Sequence, residues 1–310
     1  MKIIFRISFL IFCFVSINAY SNPYPISPRP LRKLVLESDA IIIGNVIKIY
    51  KKTPEKKKKN IKHPTDTYAR IIVTEVLQGK VHSDTLDIPF EPNMVCPAPP
   101  QYYEKTTVIA FLETNNKQYR THALSYGVKT LDSAGISIYK NRVHEIQNIL
   151  KIADPTQQRQ ETIEWLVKCS ENPVTRWEGV FELSPESDFM SAYSQSADDN
   201  LGSYLSSQQK GRLKSALLSS TDFDYYDFAL SDLIYKENQK EIDIILLDKL
   251  KKLSPEHYWY ASDFMRRLKH LNNCSAIEDL LEKQELVELN YNNESEQKKI
   301  IDEFISIVER

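Results

Sequence analysis

The residues of this chain best suited to chemistry are its cysteines and histidines. Cys96 lies in the stretch MVCPAPPQYY (94–103), among three prolines and two tyrosines. A thiol becomes a nucleophile when a base removes its proton, and His122 is the candidate base, in a predicted strand. No Asn or Asp stands out to orient His122, so the pattern does not define a catalytic dyad.

The residues that could bind a metal ion or a phosphate also lack the spacing that such sites need. The histidines lie at 63, 82, 122, 144, 257 and 270. None forms H-x-x-x-H or H-E-x-x-H, the spacings that bring zinc ligands together. With only seven glycines the chain contains no glycine-rich phosphate loop. Acid pairs such as Asp198–Asp199 and Asp222–Asp224 are interpreted as loop or helix-cap residues. The sequence predicts no catalytic, cofactor-binding or metal-binding residues.

The N-terminus predicts export. Lys2 and Arg6 precede an apolar run from Ile7 to Val15, and small residues follow. This is the pattern of a secretory signal peptide over 1–21. The run is too short for a membrane anchor, which takes about 20 apolar residues. No later stretch is long and apolar enough to cross a membrane. A periplasmic or extracellular protein is expected.

The first half of the chain, 22–153, predicts a β-sheet. Five segments are rich in β-branched residues or alternate at period two: 39–50, 67–80, 84–90, 105–114 and 118–126. In the first, Ile41, Ile43, Ile47 and Ile49 are expected on one face, with a bulge or bend at Gly44. A short pairing segment at 135–140 and a helix over 141–152 follow. About five strands closed by a helix favour a small OB-like barrel.

A resemblance supports this fold. SDAIIIGNV, ARIIVTEVLQGK, a cysteine in a proline-rich loop and then TTVIAFL resemble, in that order, the netrin-like domains shared with tissue inhibitors of metalloproteinases. The resemblance covers about residues 34–150 and implies an OB-like barrel. Inhibitory members chelate the protease zinc through an N-terminal cysteine. The mature start expected here, NPYPISPRP, has none, so the resemblance implies the fold and not the inhibition.

The second half, 154–310, changes to helical periodicity. Asp154 and Pro155 have the residue types of an N-cap and a first helical position. Helices are expected over 206–220, 225–238, 239–253, 254–271 and 295–309. The charge reverses at the same place, from 20 Lys+Arg against 12 Asp+Glu in 22–153 to 18 against 30 in 154–310. An all-α domain is expected, either a helical-hairpin array or a single bundle.

Domain membership guides the cysteine prediction. Cys13 leaves with the signal peptide, so Cys96, Cys169 and Cys274 remain, an odd number for an oxidising compartment. Cysteines within one folded unit meet in fixed geometry, and Cys169 and Cys274 share the predicted helical domain. We therefore expect a Cys169–Cys274 disulfide. Cys96 is expected as a small buried thiol under a stiff loop, a remnant of a position that the netrin-like pattern bridges.

The strongest local signal is a lysine segment, KKTPEKKKKNIK (51–62). Its lysines are Lys51, Lys52, Lys56, Lys57, Lys58, Lys59 and Lys62. The segment joins the first two predicted strands, where OB folds carry a binding loop. It predicts either contact with a polyanion or a solvated connector. A run of lysines without aromatic residues gives no base specificity, so an envelope polyanion is favoured over specific nucleic acid.

Two functions from different classes follow from these patterns. The first is an exported, non-enzymatic binding or adaptor protein that acts through macromolecular surfaces on a protein or a polyanionic envelope component. The second is an exported hydrolase with a site at the domain junction. Because no correctly spaced catalytic set is found, the first is favoured.

Overall fold

The computed structural model describes residues 27–52, 66–94, 98–115, 118–185, 200–220, 223–272, 274–289 and 293–310. These residues form two compact units, one up to Tyr204 and one from Leu205 onward. The predicted α+β class is confirmed: an antiparallel sheet occupies the N-terminal half and helices follow it. No helix within these ranges is long and apolar enough to cross a membrane.

The sheet of the first unit is built from the strands that the sequence predicts. The strands are β1 (Ala40–Lys51), β2 (Thr67–Gln78), β3 (Thr85–Phe90), β4 (Thr106–Asn115), β5 (Gln118–Thr121) and β6 (Val128–Thr130). Their order is β3-β2-β1-β4-β5, and β6 also pairs with β4. The end strands β3 and β5 approach within 8 Å between Cα atoms. Strand β6 was not predicted, because three residues give no periodicity to read.

The first five residues of strand β1 are buried on both faces, which explains their unbroken run of isoleucines. Ile42 and Val46 belong to the core inside the sheet, while Ile41 and Ile43 on the opposite face are also buried. The predicted single face of Ile41, Ile43, Ile47 and Ile49 is therefore wrong. Register shifts in the β1–β2 ladder interrupt the alternation, and Ile47 is 46% exposed. One shift falls at Gly44, where the bulge was expected.

Two helices of the first unit accompany the sheet, and the second of them contacts strands β2 and β4. They are α1 (Leu31–Glu37) and α2 (Ser133–Ile149). Lys140 of α2 donates to Glu75, the residue paired with Ile43 across the ladder, at 2.7 Å. The predicted pairing segment at 135–140 is wrong, because it forms the first turns of α2. The Asp132 carboxylate accepts from the Gly135 N–H at 2.7 Å and caps this helix.

Helices α3 (Pro155–Glu171) and α4 (Arg176–Leu183) belong to the first unit, although the predicted boundary was 153/154. The Trp165 indole donates to the Arg142 carbonyl at 3.1 Å. The fully buried Glu178 accepts from the Leu31 N–H at 2.6 Å and the Tyr139 hydroxyl at 2.9 Å, and it lies 2.7 Å from Lys129. These contacts bind α4 to α1, α2 and β6.

The second unit is helical. It contains α5 (Ser207–Ser219), α6 (Asp227–Lys251), α7 (Ala261–Leu268), α8 (Ser275–Glu288) and α9 (Glu294–Val308), with 3-10 turns at Pro255–Tyr260 and Lys269–Leu271. Helix α9 packs on α8 and also contacts α6 and α7, as in a bundle. The helices expected at 225–238 and 239–253 are the two halves of α6, which is kinked at Asn238, where the backbone angles are non-helical. Helix α8 was not predicted.

Candidate polyanion-binding site

The β1–β2–β3 ladder brings six polar and aromatic side chains together on the outside of the sheet. Tyr50 pairs with Tyr68 across β1 and β2, and Arg70 pairs with Lys48 of β1 and Asp87 of β3. Because alternate residues of a strand share a face, these side chains lie opposite the core residues Ala69 and Ile71. We call this group the tyrosine–cation patch: Lys48, Tyr50, Lys52, Tyr68, Arg70 and Asp87.

The two tyrosine rings of the patch hold its cations. The rings of Tyr50 and Tyr68 stack with centroids 6.0 Å apart and planes inclined by 30°. The Lys52 ammonium lies 4.4 Å from the Tyr68 centroid, and the Arg70 guanidinium lies 5.0 Å from that of Tyr50. The negative face of an aromatic ring attracts a cation at these distances. The tyrosines therefore orient the positive charges.

Asp87 is the acid of the patch. Its carboxylate accepts two hydrogen bonds from Arg70, at 2.9 and 3.1 Å, and one from Lys52 at 3.3 Å. The hydrogen bonds from Arg70 hold the pKa of Asp87 well below its usual range. Burial lowers the pKa of Lys52, but its bonds to Asp87 and Tyr50 outweigh that effect and raise it. Asp87, Lys52 and Arg70 therefore stay ionised at neutral pH.

The patch carries more positive than negative charge. Its positive charges are those of Lys48, Lys52 and Arg70, and its one negative charge is the carboxylate of Asp87. Lys51, which is exposed, adds a further ammonium 4.0 Å from Asp66. Two residues of the predicted polyanion contact, Lys51 and Lys52, are thus at or beside the patch. The others, Lys56, Lys57, Lys58, Lys59 and Lys62, lie outside the described residues.

Sequence reasoning found Lys52 and missed the rest of the patch, Lys48 included. Tyr50 alternates with Lys48 and Lys52, and Tyr68 alternates with Arg70. This period-two alternation of aromatic and basic residues was the available signal. Its meaning depends on register, because only the ladder places Tyr50 beside Tyr68 and Arg70 beside Asp87.

The predicted Cys169–Cys274 disulfide is wrong, since both are free thiols in this structure. The prediction assumed that they share a folded domain, but Cys169 belongs to the first unit and Cys274 to the second. Cys169 is fully buried in α3, and burial raises the pKa of its thiol. Such a thiol is a poor nucleophile. Cys96 lies outside the described residues, and its predicted burial stays a prediction.

In the described part of the chain, His122 and His270 have carboxylate partners. His122 places Nε2 2.9 Å from Glu37 and Nδ1 3.6 Å from Glu113. His270 places Nε2 2.9 Å from Asp243 and Nδ1 2.8 Å from the Arg267 carbonyl. Both ring nitrogens of His270 are therefore hydrogen-bonded, whereas Nδ1 of His122 lies beyond hydrogen-bonding distance of Glu113. Among the residues placed by the structure, no group of three or more metal-ligating side chains is found.

Comparison of the chain with protein-family models, with curated proteins and with solved structures finds no match in any of the three. The function is therefore inferred from the residues and their geometry.

Proposed function

We propose that this is an exported, non-enzymatic binding protein that holds a polyanion on the tyrosine–cation patch and the lysine segment that follows it. The observation that carries this proposal is the clustering of Lys48, Lys52 and Arg70 on the paired tyrosine rings beside one carboxylate. Binding a polyanion to such a surface releases counterions, which drives association at low salt.

The patch suits the recognition of charge better than that of bases. Lys52 and Arg70 lie over the ring faces of Tyr68 and Tyr50 that a base would stack on. An ammonium or guanidinium held in this way can still contact a sulfate, phosphate or carboxylate group. The partner class that fits is an acidic polysaccharide or another envelope polyanion, without sequence-specific nucleic acid.

An OB-like barrel of the netrin-like type is part of the proposal. With β3 near β5, the strands follow the cyclic order β1-β2-β3-β5-β4 of a five-stranded Greek-key barrel. Tyr102 supports closure, because its ring meets Phe90 of β3 edge-on at 5.3 Å and its hydroxyl lies 2.6 Å from the Thr121 hydroxyl of β5. In that barrel the patch lies on strands that OB folds use for ligands, beside the β1–β2 loop.

Heparin chromatography in a salt gradient tests the proposal. A variant with Lys48, Lys51 and Lys52 changed to Ser is expected to elute at clearly lower salt than the wild type. The plot of log K against log salt has a negative slope, and its magnitude is expected to decrease by about 0.7–0.9 for each lost ionic contact. The matched control changes the exposed Lys236, Lys283 and Lys299 of the second unit to Ser.

The control has the same change in net charge, so it separates a local site from general attraction. If both triple variants elute together, the patch is not the binding site. A further variant with Lys56 to Lys59 changed to Ser tests the loop. If the retention of that variant is unchanged, the loop is a solvated connector and the patch alone is the binding site.

The exported hydrolase has no comparable observation in its favour. Both ring nitrogens of His270 are hydrogen-bonded, and Nε2 of His122 meets the Glu37 carboxylate. A site at the domain junction stays a prediction from the sequence.

A further inference from the structure

A groove opens on the second unit beside the second half of helix α6. Its walls are Gln239, Lys240, Asp243, Ile244 and Leu247 of α6, with His270 and Leu271 of the 3-10 turn. The groove begins where the backbone of α6 departs from helical geometry at Asn238. Its volume of about 490 Å³ is that of a site for a small molecule.

The apolar wall of the groove is unusually exposed. Ile244 and Leu247 lie one helical turn apart on α6 and face Leu271 across the groove. Ile244 is 61% exposed and Leu271 is 39% exposed. Large aliphatic side chains on two facing walls supply a site for an apolar body, which would remove both from water.

The polar groups of the groove differ in what they can offer a ligand. Asp243 is buried, and its two oxygens are taken by the Tyr235 hydroxyl at 3.1 Å and by His270 Nε2 at 2.9 Å. Gln239 hydrogen-bonds the same Tyr235 hydroxyl. Lys240 has no ion-pair or hydrogen-bond partner among the residues described here. The group left to meet a ligand is therefore a positively charged ammonium.

We propose that this groove binds a small anionic amphiphile: one carboxylate or sulfonate against Lys240, and an apolar body between Ile244, Leu247 and Leu271. The site is distinct from the tyrosine–cation patch and does not depend on the function proposed for it. The Asp243–His270–Tyr235 network fixes the polar floor of the groove and holds the 3-10 turn against α6.

The net charge of the second unit does not prevent an anion from binding here. Residues 205–310 contain 15 Lys+Arg against 20 Asp+Glu. Salt screens exposed charges beyond about 8 Å at physiological ionic strength. The carboxylate in the groove itself, Asp243, has both oxygens hydrogen-bonded to Tyr235 and His270, so the Lys240 ammonium is the charge left to meet a ligand seated beside it.

Isothermal titration of the full chain with decanoate, and with decanol as the uncharged probe, tests this inference. Decanoate is expected to bind at one site. Changing Ile244 to Asn is expected to weaken binding about tenfold, through lost apolar contact. Changing Lys240 to Gln is expected to weaken the binding of decanoate about two- to fivefold and to leave the binding of decanol unchanged. The matched control is Leu289→Asn, because Leu289 is 79% exposed and lies outside the groove.

Absence of saturable decanoate binding to the wild type would overturn the inference. So would equal binding by Ile244→Asn and Leu289→Asn. A Lys240→Gln variant that binds decanoate as tightly as the wild type would refute the proposed contact between Lys240 and the anionic group of the ligand. Leu271→Asn, in the opposite wall, repeats the test with an independent residue if Ile244→Asn does not fold by circular dichroism.

Discussion

Asp87 is the residue whose charge holds the tyrosine–cation patch in shape. Its carboxylate joins Arg70 of β2 to Lys52 at the end of β1. Because its folded pKa lies below the unfolded value, ionised Asp87 stabilises the fold. This contribution is fully present above the unfolded pKa of about 3.9 and is lost as the pH falls through the folded pKa.

We expect Asp87→Asn to lower the free energy of unfolding at pH 7 and to lose most of that effect under strongly acidic conditions. The reason is that acidification protonates Asp87 first in the unfolded chain and only at still lower pH in the folded protein, so the stabilisation by its charge shrinks as the pH falls. Urea unfolding of both proteins from pH 7 down to pH 2 gives the comparison. A difference that does not shrink with acidification would mean that Asp87 does not stabilise the fold through its charge.

Glu178 carries the largest single-residue effect that we expect in the first unit. Glu178→Ala leaves the Lys129 ammonium, with a side chain only 16% exposed, without its carboxylate. Breaking a buried pair in this way costs about 3–5 kcal/mol. Thermal unfolding followed by circular dichroism is the measurement. The double variant Glu178→Leu/Lys129→Met is expected to lose less stability than Glu178→Ala, because no charge is left unpaired. A larger loss would show that the ion pair is not the main contribution of Glu178 to stability.

At the scale of elements, strands β1 to β4 were predictable because their β-branched residues and turn signals agree. The start of α2 was not, since GISIY also has strand composition and only the cap at Asp132 decides for helix. The predicted face of β1 was wrong at Ile47, because the register shift beside this residue depends on how β1 pairs with β2 and cannot be read from β1 alone. The patch depends on that same register, so the sequence analysis predicted only one of its residues, Lys52.

Two glycine substitutions compare a tight site with an open one. A Cβ at Gly44 would lie 2.5 Å from Ile71 Cγ2 and 2.7 Å from the Ile72 carbonyl oxygen, whereas one at Gly211 in α5 meets nothing within 4 Å. We expect Gly44→Ala to destabilise the protein by about 1–3 kcal/mol. Gly211→Ala is expected to stabilise it by about 0.5–1 kcal/mol, through helix propensity.

Chemical denaturation of both glycine variants gives the two numbers. A neutral Gly44→Ala would mean that β1 and β2 are less tightly apposed than described. A destabilising Gly211→Ala would mean that α5 meets a neighbour outside the described residues.

At the scale of the whole molecule, the two compact units divide the chain after α4. The sequence suggested 153/154 because periodicity and charge both change there. Periodicity does not reveal which surface a helix packs on, and α3 and α4 pack on the sheet half through Trp165 and Glu178. The polar partners of these residues are distant in sequence, so no local pattern carries the information.

A fragment of residues 205–310 is therefore expected to unfold cooperatively on its own, with a helical circular dichroism spectrum. A longer fragment, 154–310, is expected to show the same transition and no second one. Its α3 and α4 have lost their partners on α1, α2 and β6. A second cooperative transition in the longer fragment would contradict this division of the chain.

The three tryptophans divide between the units in a way that has an optical consequence. Trp165 is buried in α3, and Trp177 stacks on Tyr126 at 5.5 Å, whereas Trp259, the sole tryptophan of the second unit, is 48% exposed. A shielded indole emits at shorter wavelength than a hydrated one. Iodide should therefore quench mainly the red edge of the emission band, where Trp259 reports on the helical unit alone.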